Sequence, residues 1–243
     1  DEATAEFTAL VKQTVARRGK VVIPSFSVGR TQELVYELSK LIHAGEIPPI
    51  PVYVDSPLAS RAADVFWAHA GLFDEAALAH LRRNSWDEMF GFSGLRYVQS
   101  AEESKALNGQ KGPLVIISAS GMCENGRIRH HLCNTLEDPR NTILIVSWQA
   151  PETLGRRLAD REREVRIFGD SYKVKAQVAT INGYSGHAGR DFLIEWATAL
   201  KPRLKQVFLV HGAPDSAAAL KQALLAAGLP SVHAPALHET VEI

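Results

Sequence analysis

Cysteine is scarce in this chain of 243 residues: it occurs only at Cys123 and Cys133. That spacing matches neither a CxxC pair nor a disulfide framework, so both thiols are expected reduced, in a cytoplasmic protein. No apolar run is long enough to span a bilayer, and no membrane partner is expected. Charge of one sign is not in excess, with 27 Lys plus Arg against 27 Asp plus Glu. Nucleic-acid-binding domains often carry a basic surplus, so any grip on a polyanion has to come from a local groove. Histidine pairs at HxH or HxxxH spacing are absent as well. His130 and His131 are adjacent on a predicted helix, so they point about 100° apart and cannot chelate one ion together. A mononuclear metal site built from this chain alone is therefore not expected.

What is present is an alternation of short apolar runs and amphipathic segments. A hydrophobic share of 46% is enough for a sizeable core. Strands are predicted near residues 21–24, 52–54, 95–98, 114–117 and 142–146, with helices over 32–43, 57–70, 100–107, 127–136 and 152–160. Thr31 is expected to cap the first of these helices, and Asp55 with Ser56 the second. Ser100 followed by Glu103 is a capping-box pattern. Alternating patterns at 165–168 and 173–178 read as further strands, and 206–210 and 215–227 as a strand and a helix. Residues 85–94, with Trp86, Phe90 and Phe92, read as an irregular aromatic stretch. Strands alternating with helices predict an α/β class with a largely parallel sheet flanked by helices. The composition shifts near residues 168–172, the best place for a domain boundary.

Chemistry-bearing residues collect after the apolar runs, where open α/β sheets place their ligands. Ser25, Ser27 and Arg30 lie in the turn after the first strand. Ser118, Ser120, Gly121 and Met122 lie in the turn after the fourth. Backbone N–H groups and hydroxyls in such turns can cradle an anion, and an arginine can fork onto a phosphate. Each turn alone is equally well explained by steric need for small residues; two of them in one sheet can share a crevice. Further on, Ser185 and His187 sit in a small-residue turn, Asn182-Gly183-Tyr184-Ser185-Gly186-His187-Ala188-Gly189-Arg190. His211 follows the apolar run 207–210. His187 can hold a phosphate or donate a proton to a leaving oxygen, or be an incidental histidine near a helix start. His211 can be one ligand of a larger metal site, or a hydrogen-bonded strand-end side chain.

Three segments together carry a resemblance to a known family. Pro24-Ser25-Phe26-Ser27-Val28-Gly29-Arg30-Thr31-Gln32-Glu33-Leu34, Val54-Asp55-Ser56-Pro57-Leu58-Ala59 and Ser118-Ala119-Ser120-Gly121-Met122-Cys123 resemble the β-CASP domain. That domain belongs to metallo-β-lactamase-fold nucleases acting on RNA, with some members acting on DNA. The resemblance implies that residues 1–170 are the β-CASP domain and 171–243 a C-terminal segment completing a metallo-β-lactamase domain. It implies that His187 contacts the scissile phosphate, and that His211 binds one of two zinc ions. Ser25, Ser27, Arg30, Ser118, Ser120, Gly121, Met122 and Ser185 would then contact RNA. The HxHxDH motif, which supplies most zinc ligands in the family, is absent from these residues, as are a later histidine, a bridging aspartate and the motif A acid. Ala213-Pro214 stand where the family often has a Glu. The expectation is a fragment of a zinc-dependent ribonuclease, inactive alone, whose partners are single-stranded RNA and an N-terminal metallo-β-lactamase part, with a homodimer left open. The alternative is a catalytically silent RNA-binding or scaffold relative.

Overall fold

Parallel strands covered on both faces must be apolar on both, which is why they read as unbroken hydrophobic runs rather than alternating ones. A computed structural model describes residues 2–83, 92–184 and 188–241. It runs α1 (Glu2–Ala16), β1 (Lys20–Pro24), α2 (Arg30–His43), β2 (Val52–Asp55), α3 (Pro57–Ala68), α4 (Glu75–Arg83), β3 (Leu95–Tyr97) and α5 (Ala101–Gly109). Then follow β4 (Leu114–Ser118), α6 (Ile128–Cys133), β5 (Thr142–Ile145), α7 (Leu154–Ala159), β6 (Glu164–Ile167), β7 (Asp170–Lys173) and β8 (Gln177–Thr180). Six strands form one sheet in the order β3-β2-β4-β1-β5-β8, and every pair in it is parallel. β1, β2, β4 and β5 are buried at every position.

Alternation of side chains divides the core into two layers. Val21 and Ile23 of β1 pack with Phe7 and Val11 of α1 and Leu34, Val35 and Leu38 of α2. Val22, on the other face, packs with Ile128 and Leu132 of α6 and Leu154 and Leu158 of α7. The predicted α/β sheet flanked by helices is the observed architecture. β6 and β7 form an antiparallel hairpin beside it. Its turn places Phe168 at φ 55° and Gly169 at φ 95°, two left-handed residues in succession, as a tight hairpin connection requires.

The chain divides into two compact units, residues 1–185 and 186–243. β8 pairs with β5 from Thr142↔Gln177 to Ile145↔Thr180, so the sheet continues beyond the compositional shift at 168–172. The second unit holds α8 (Arg190–Ala199), β9 (Val207–Phe208), α9 (Pro214–Ala226) and β10 (Val232–His233). β9 and β10 pair in parallel, and Ala197, Leu224, Leu229 and Val232 form its core.

Local expectations differ from the structure in three places. Thr31 does not cap α2: Gly29 occupies the cap position, and the Thr31 hydroxyl donates instead to the Phe26 carbonyl at 2.7 Å. Ser56 alone caps α3, accepting from the Ala59 N–H at 3.2 Å; Asp55 is turned elsewhere. The run 173–178 is not one strand, because Lys173 ends β7 and β8 starts at Gln177. The aromatic stretch falls largely on residues 84–91, outside the described residues.

Candidate functional site

Register brings the ends of three strands level. Pro24 pairs with Ser118, and Ser118 with Asp55, so the turns after β1, β2 and β4 leave the sheet side by side at its carboxyl edge. The Ser25 N–H donates to the Ser118 carbonyl at 3.0 Å. Ser27 and Ser56 share a hydrogen bond between hydroxyls, 2.9 Å apart. Gln32 of α2 reaches across, donating to the Ser27 carbonyl at 3.2 Å and the Ala59 carbonyl at 3.1 Å. The two Ser-rich turns singled out in the sequence therefore do share one edge. Ser25 and Ser118 are fully buried there, and their hydroxyls bond within the turns. Ser27, Ser120 and Met122 are half-buried. Arg30 is ion-paired with Glu33, and its guanidinium stands 5.8 Å from the Tyr184 ring.

The turn after β4 is held from several sides. A Cβ on Gly121 would stand 3.3 Å from the Phe26 ring, so the ring lies against bare backbone. Gln149, 2% exposed, donates its amide to the Gly121 carbonyl at 3.0 Å. The Ser120 N–H donates to the Asn125 carbonyl at 3.2 Å, and the Ile128 N–H to the Ala119 carbonyl at 3.1 Å. Gly126 closes this loop at φ 79°, where an added Cβ would stand 2.4 Å from the Ala119 carbonyl oxygen. Gly126→Ala is therefore expected to destabilise the protein by more than the roughly 1–2 kcal/mol of a left-handed alanine, because the backbone must also move. A chemical-denaturation midpoint checks this, and an unchanged midpoint would show that the loop yields freely.

Sequence reading missed the polar centre beneath this edge. The Asp55 side chain, 0% exposed, accepts from His131 Nε2 at 2.6 Å, Ser104 Oγ at 2.5 Å and Arg127 Nη1 at 2.7 Å. His131 is itself 0% exposed, and its Nδ1 lies 2.8 Å from Asn108 Oδ1. Arg127 also donates to the Gln99 carbonyl at 3.0 Å. Burial pushes the Asp55 carboxyl upward, but hydrogen bonds from His131, Ser104 and Arg127 outweigh it and hold the group below its ordinary value. A signal was available: His131 is three residues beyond Ile128, on the face that α6 buries. A histidine there needs a buried partner, and the carboxylate ending an apolar strand is the natural one.

In the second unit His211 is exposed, with a left-handed backbone at φ 62°. Histidine is among the side chains that enter this region more readily. Ser185 and His187 lie outside the described residues. Among the described residues no group of three or more His, Cys, Asp or Glu side chains is placed to hold a metal ion.

The family model of the Beta-Casp domain matches residues 31–158. That of the Zn-dependent metallo-hydrolase RNA specificity domain matches residues 171–235. A ribonuclease of Thermus thermophilus is 39% identical over 227 residues, covering 93% of this chain and 51% of the relative. The transcription termination factor FttA of Methanosarcina mazei is 32% identical over 216 residues, covering 87% of this chain and 34% of the relative. The same factor of Pyrococcus abyssi is 32% identical over 223 residues, covering 88% and 34%. The chain thus spans about half the length of the first relative and a third of the other two. The Beta-Casp match covers more than half of the chain and the RNA specificity match follows it in order, so the chain belongs to the β-CASP family of metallo-β-lactamase-fold RNA nucleases.

Proposed function

We propose that this chain is the RNA-gripping part of an RNA-cleaving hydrolase, and that it adds two imidazoles to the chemistry. The observation that carries this reading is the carboxyl edge, where the turns after β1, β2 and β4 are aligned by register. Beside them Phe26 is 46% exposed and Trp148, just beyond β5, 64% exposed. Hydroxyls and backbone groups suit phosphate and ribose, and aromatic faces suit unstacked bases, which is how single-stranded RNA is held. Ser27, Ser120 and Met122 are the proposed contacts, while buried Ser25 and Ser118 fix the shape of the turns. Likeness to a ribonuclease favours hydrolysis over silent binding. His187 is the proposed phosphate contact and proton donor. His211 is proposed as one ligand within a two-zinc centre of the whole protein, most of whose donors lie outside this chain. Alone, the chain is proposed to bind RNA without cutting it.

The test uses the full-length protein and a single-stranded RNA substrate. His187→Ala is expected to lower the cleavage rate by about 10²–10⁴-fold, the usual worth of a positioned proton donor. His211→Ala is expected to lower it at least as far, with RNA binding retained in both variants. Cleavage at the parent rate by the double variant would remove the assignment. A full-length parent that binds RNA tightly and never cuts it would leave the silent relative as the reading.

A further inference from the structure

The opposite edge of the same sheet carries a cleft that the proposed function does not use. It opens at the amino ends of β1, β4 and β5, between the segments 18–20, 108–112 and 134–141, and encloses about 550 Å³. That size suits a small-molecule site. Lys20 and Pro24 bound β1, so the two edges are about 13 Å apart along the strand.

The cleft is positive in a chain whose total formal charge is zero. Arg18, Lys20, Lys111 and Arg140 line it, against the single carboxylate of Asp138. That carboxylate is already occupied, since Arg140 donates to both its oxygens at 2.6–3.2 Å. The surplus is three positive charges. Lys20 is only 7% exposed, and its ammonium donates to the carbonyls of Leu107 at 3.2 Å and Asn108 at 3.0 Å. Among the described residues no carboxylate lies within ion-pair distance of Lys20, Arg18 or Lys111. A buried cation without a counter-charge is costly, and a bound anion would supply one. Burial draws the Lys20 ammonium below its ordinary pKa, with Asp138 opposing.

The walls are preformed and polar. A Cβ on Gly19 would stand 1.8 Å from the Arg140 carbonyl oxygen, and one on Gly112 2.6 Å from the Gly19 carbonyl oxygen. Two of the three segments thus pack backbone to backbone against residues 18–19, an approach that only glycine permits. The remaining side-chain lining is amide: Asn108, Gln110, Asn134 and Asn141, of which Asn134 and Asn141 each donate one amide hydrogen to a backbone carbonyl and keep the other. Among the described residues no aromatic or aliphatic side chain lines the cleft, so it offers nothing to hold an acyl chain. Cations with amide donors around an open space match the oxygens of phosphate.

We propose that this amino-edge cleft is a second anion site that binds phosphate, remote from the carboxyl edge. The phosphate can belong to a free ion or small ester, or to the backbone of an RNA strand. The chemistry is shared, and the test separates the two sources. In the full-length protein, lysines are acetylated and the products counted by mass spectrometry. The probes are inorganic phosphate, inorganic pyrophosphate, and single-stranded oligouridylate lacking a terminal phosphate, each compared with sodium chloride at equal ionic strength.

The expected result is a several-fold loss of acetylation at Lys20 and Lys111 with at least one probe. Lys12 and Lys40, which pair with Glu46 and Glu37, should be unaffected. Protection by the small probes alone identifies a free-phosphate site, and protection by oligouridylate identifies a backbone site. Reversing the exposed charges in Arg18→Glu/Lys111→Glu is expected to weaken calorimetric binding of the effective probe by about tenfold or more. The proposal is overturned if no probe protects Lys20 and Lys111, if all four lysines are protected alike, or if the double variant binds as the parent does. RNA cleavage is not the readout, so this result stands or falls apart from the proposed function.

Discussion

Asp55→Ala is expected to cost about 3–5 kcal/mol of unfolding free energy, the typical loss when one partner of a buried charge pair is removed. Among the described residues the carboxylate is the only acceptor shared by His131, Ser104 and Arg127. Its loss leaves a fully buried imidazole and a guanidinium, 24% exposed, without their anion. It also removes a tie between β2, α5 and α6, three elements far apart in the chain. Asp55→Asn keeps the shape but turns an NH₂ toward donors, and should fall between parent and alanine variant. Asp138→Ala is the control. Its carboxylate also binds an arginine, but Asp138 is a third exposed and Arg140 nearly two-thirds, so about 1 kcal/mol or less is expected. Urea unfolding with unchanged m-values checks all three. The pH dependence follows from the lowered pKa of Asp55. The contribution is complete above the carboxylate pKa of the unfolded chain. It erodes as pH falls from there to the lower folded value, and is gone below both. The alanine variant should lose that acid-side slope, and a parent-like slope in it would place the coupling elsewhere.

The sheet was legible in the sequence because parallel strands leave unbroken apolar runs, and those at 21–24, 114–117 and 142–146 fall on β1, β4 and β5. The capping box at Ser100 and Glu103 was legible for a similar reason: its hydrogen bonds span three residues, and both halves form. The Ser-rich turns could be assigned to strand ends, but strand order could not, since β1 contacts β4 and β5 rather than β2. Only that order makes the turns neighbours. The Asp55 network was not legible because its members lie 49 to 76 residues apart. A cap is a local use for an aspartate, and local uses are what a sequence displays. Thr31 shows the same limit, since its hydroxyl serves the preceding turn rather than its own helix. The basic cleft escaped because its cations come from three separate segments within a chain of zero net charge.

The carboxyl edge leads to the second large effect. Replacing both Phe26 and Trp148 with alanine is expected to weaken single-stranded RNA binding by the full-length protein by about 1–3 kcal/mol for each base that loses its platform. One lost platform corresponds to a change of about 5- to 150-fold. The two side chains follow β1 and β5, which are hydrogen-bonded neighbours, so both stand in turns at the carboxyl edge of adjacent strands. Phe26 is 46% and Trp148 64% exposed, so truncation also removes part of each side chain's burial, at about 1 kcal/mol of stability each, and binding is compared at temperatures where both proteins are fully folded. The Phe26 ring rests on Gly121, which fixes its plane before RNA arrives and lowers the entropy lost on binding. Trp148→Phe keeps an aromatic face and should recover most of the affinity lost in Trp148→Ala. Neither aromatic carries charge, so the slope of log affinity against log salt should stay at the parent value while the whole line drops. A changed slope would mean that the substitutions had disturbed phosphate contacts. An unchanged affinity in the double variant would show that bases do not stack on this edge.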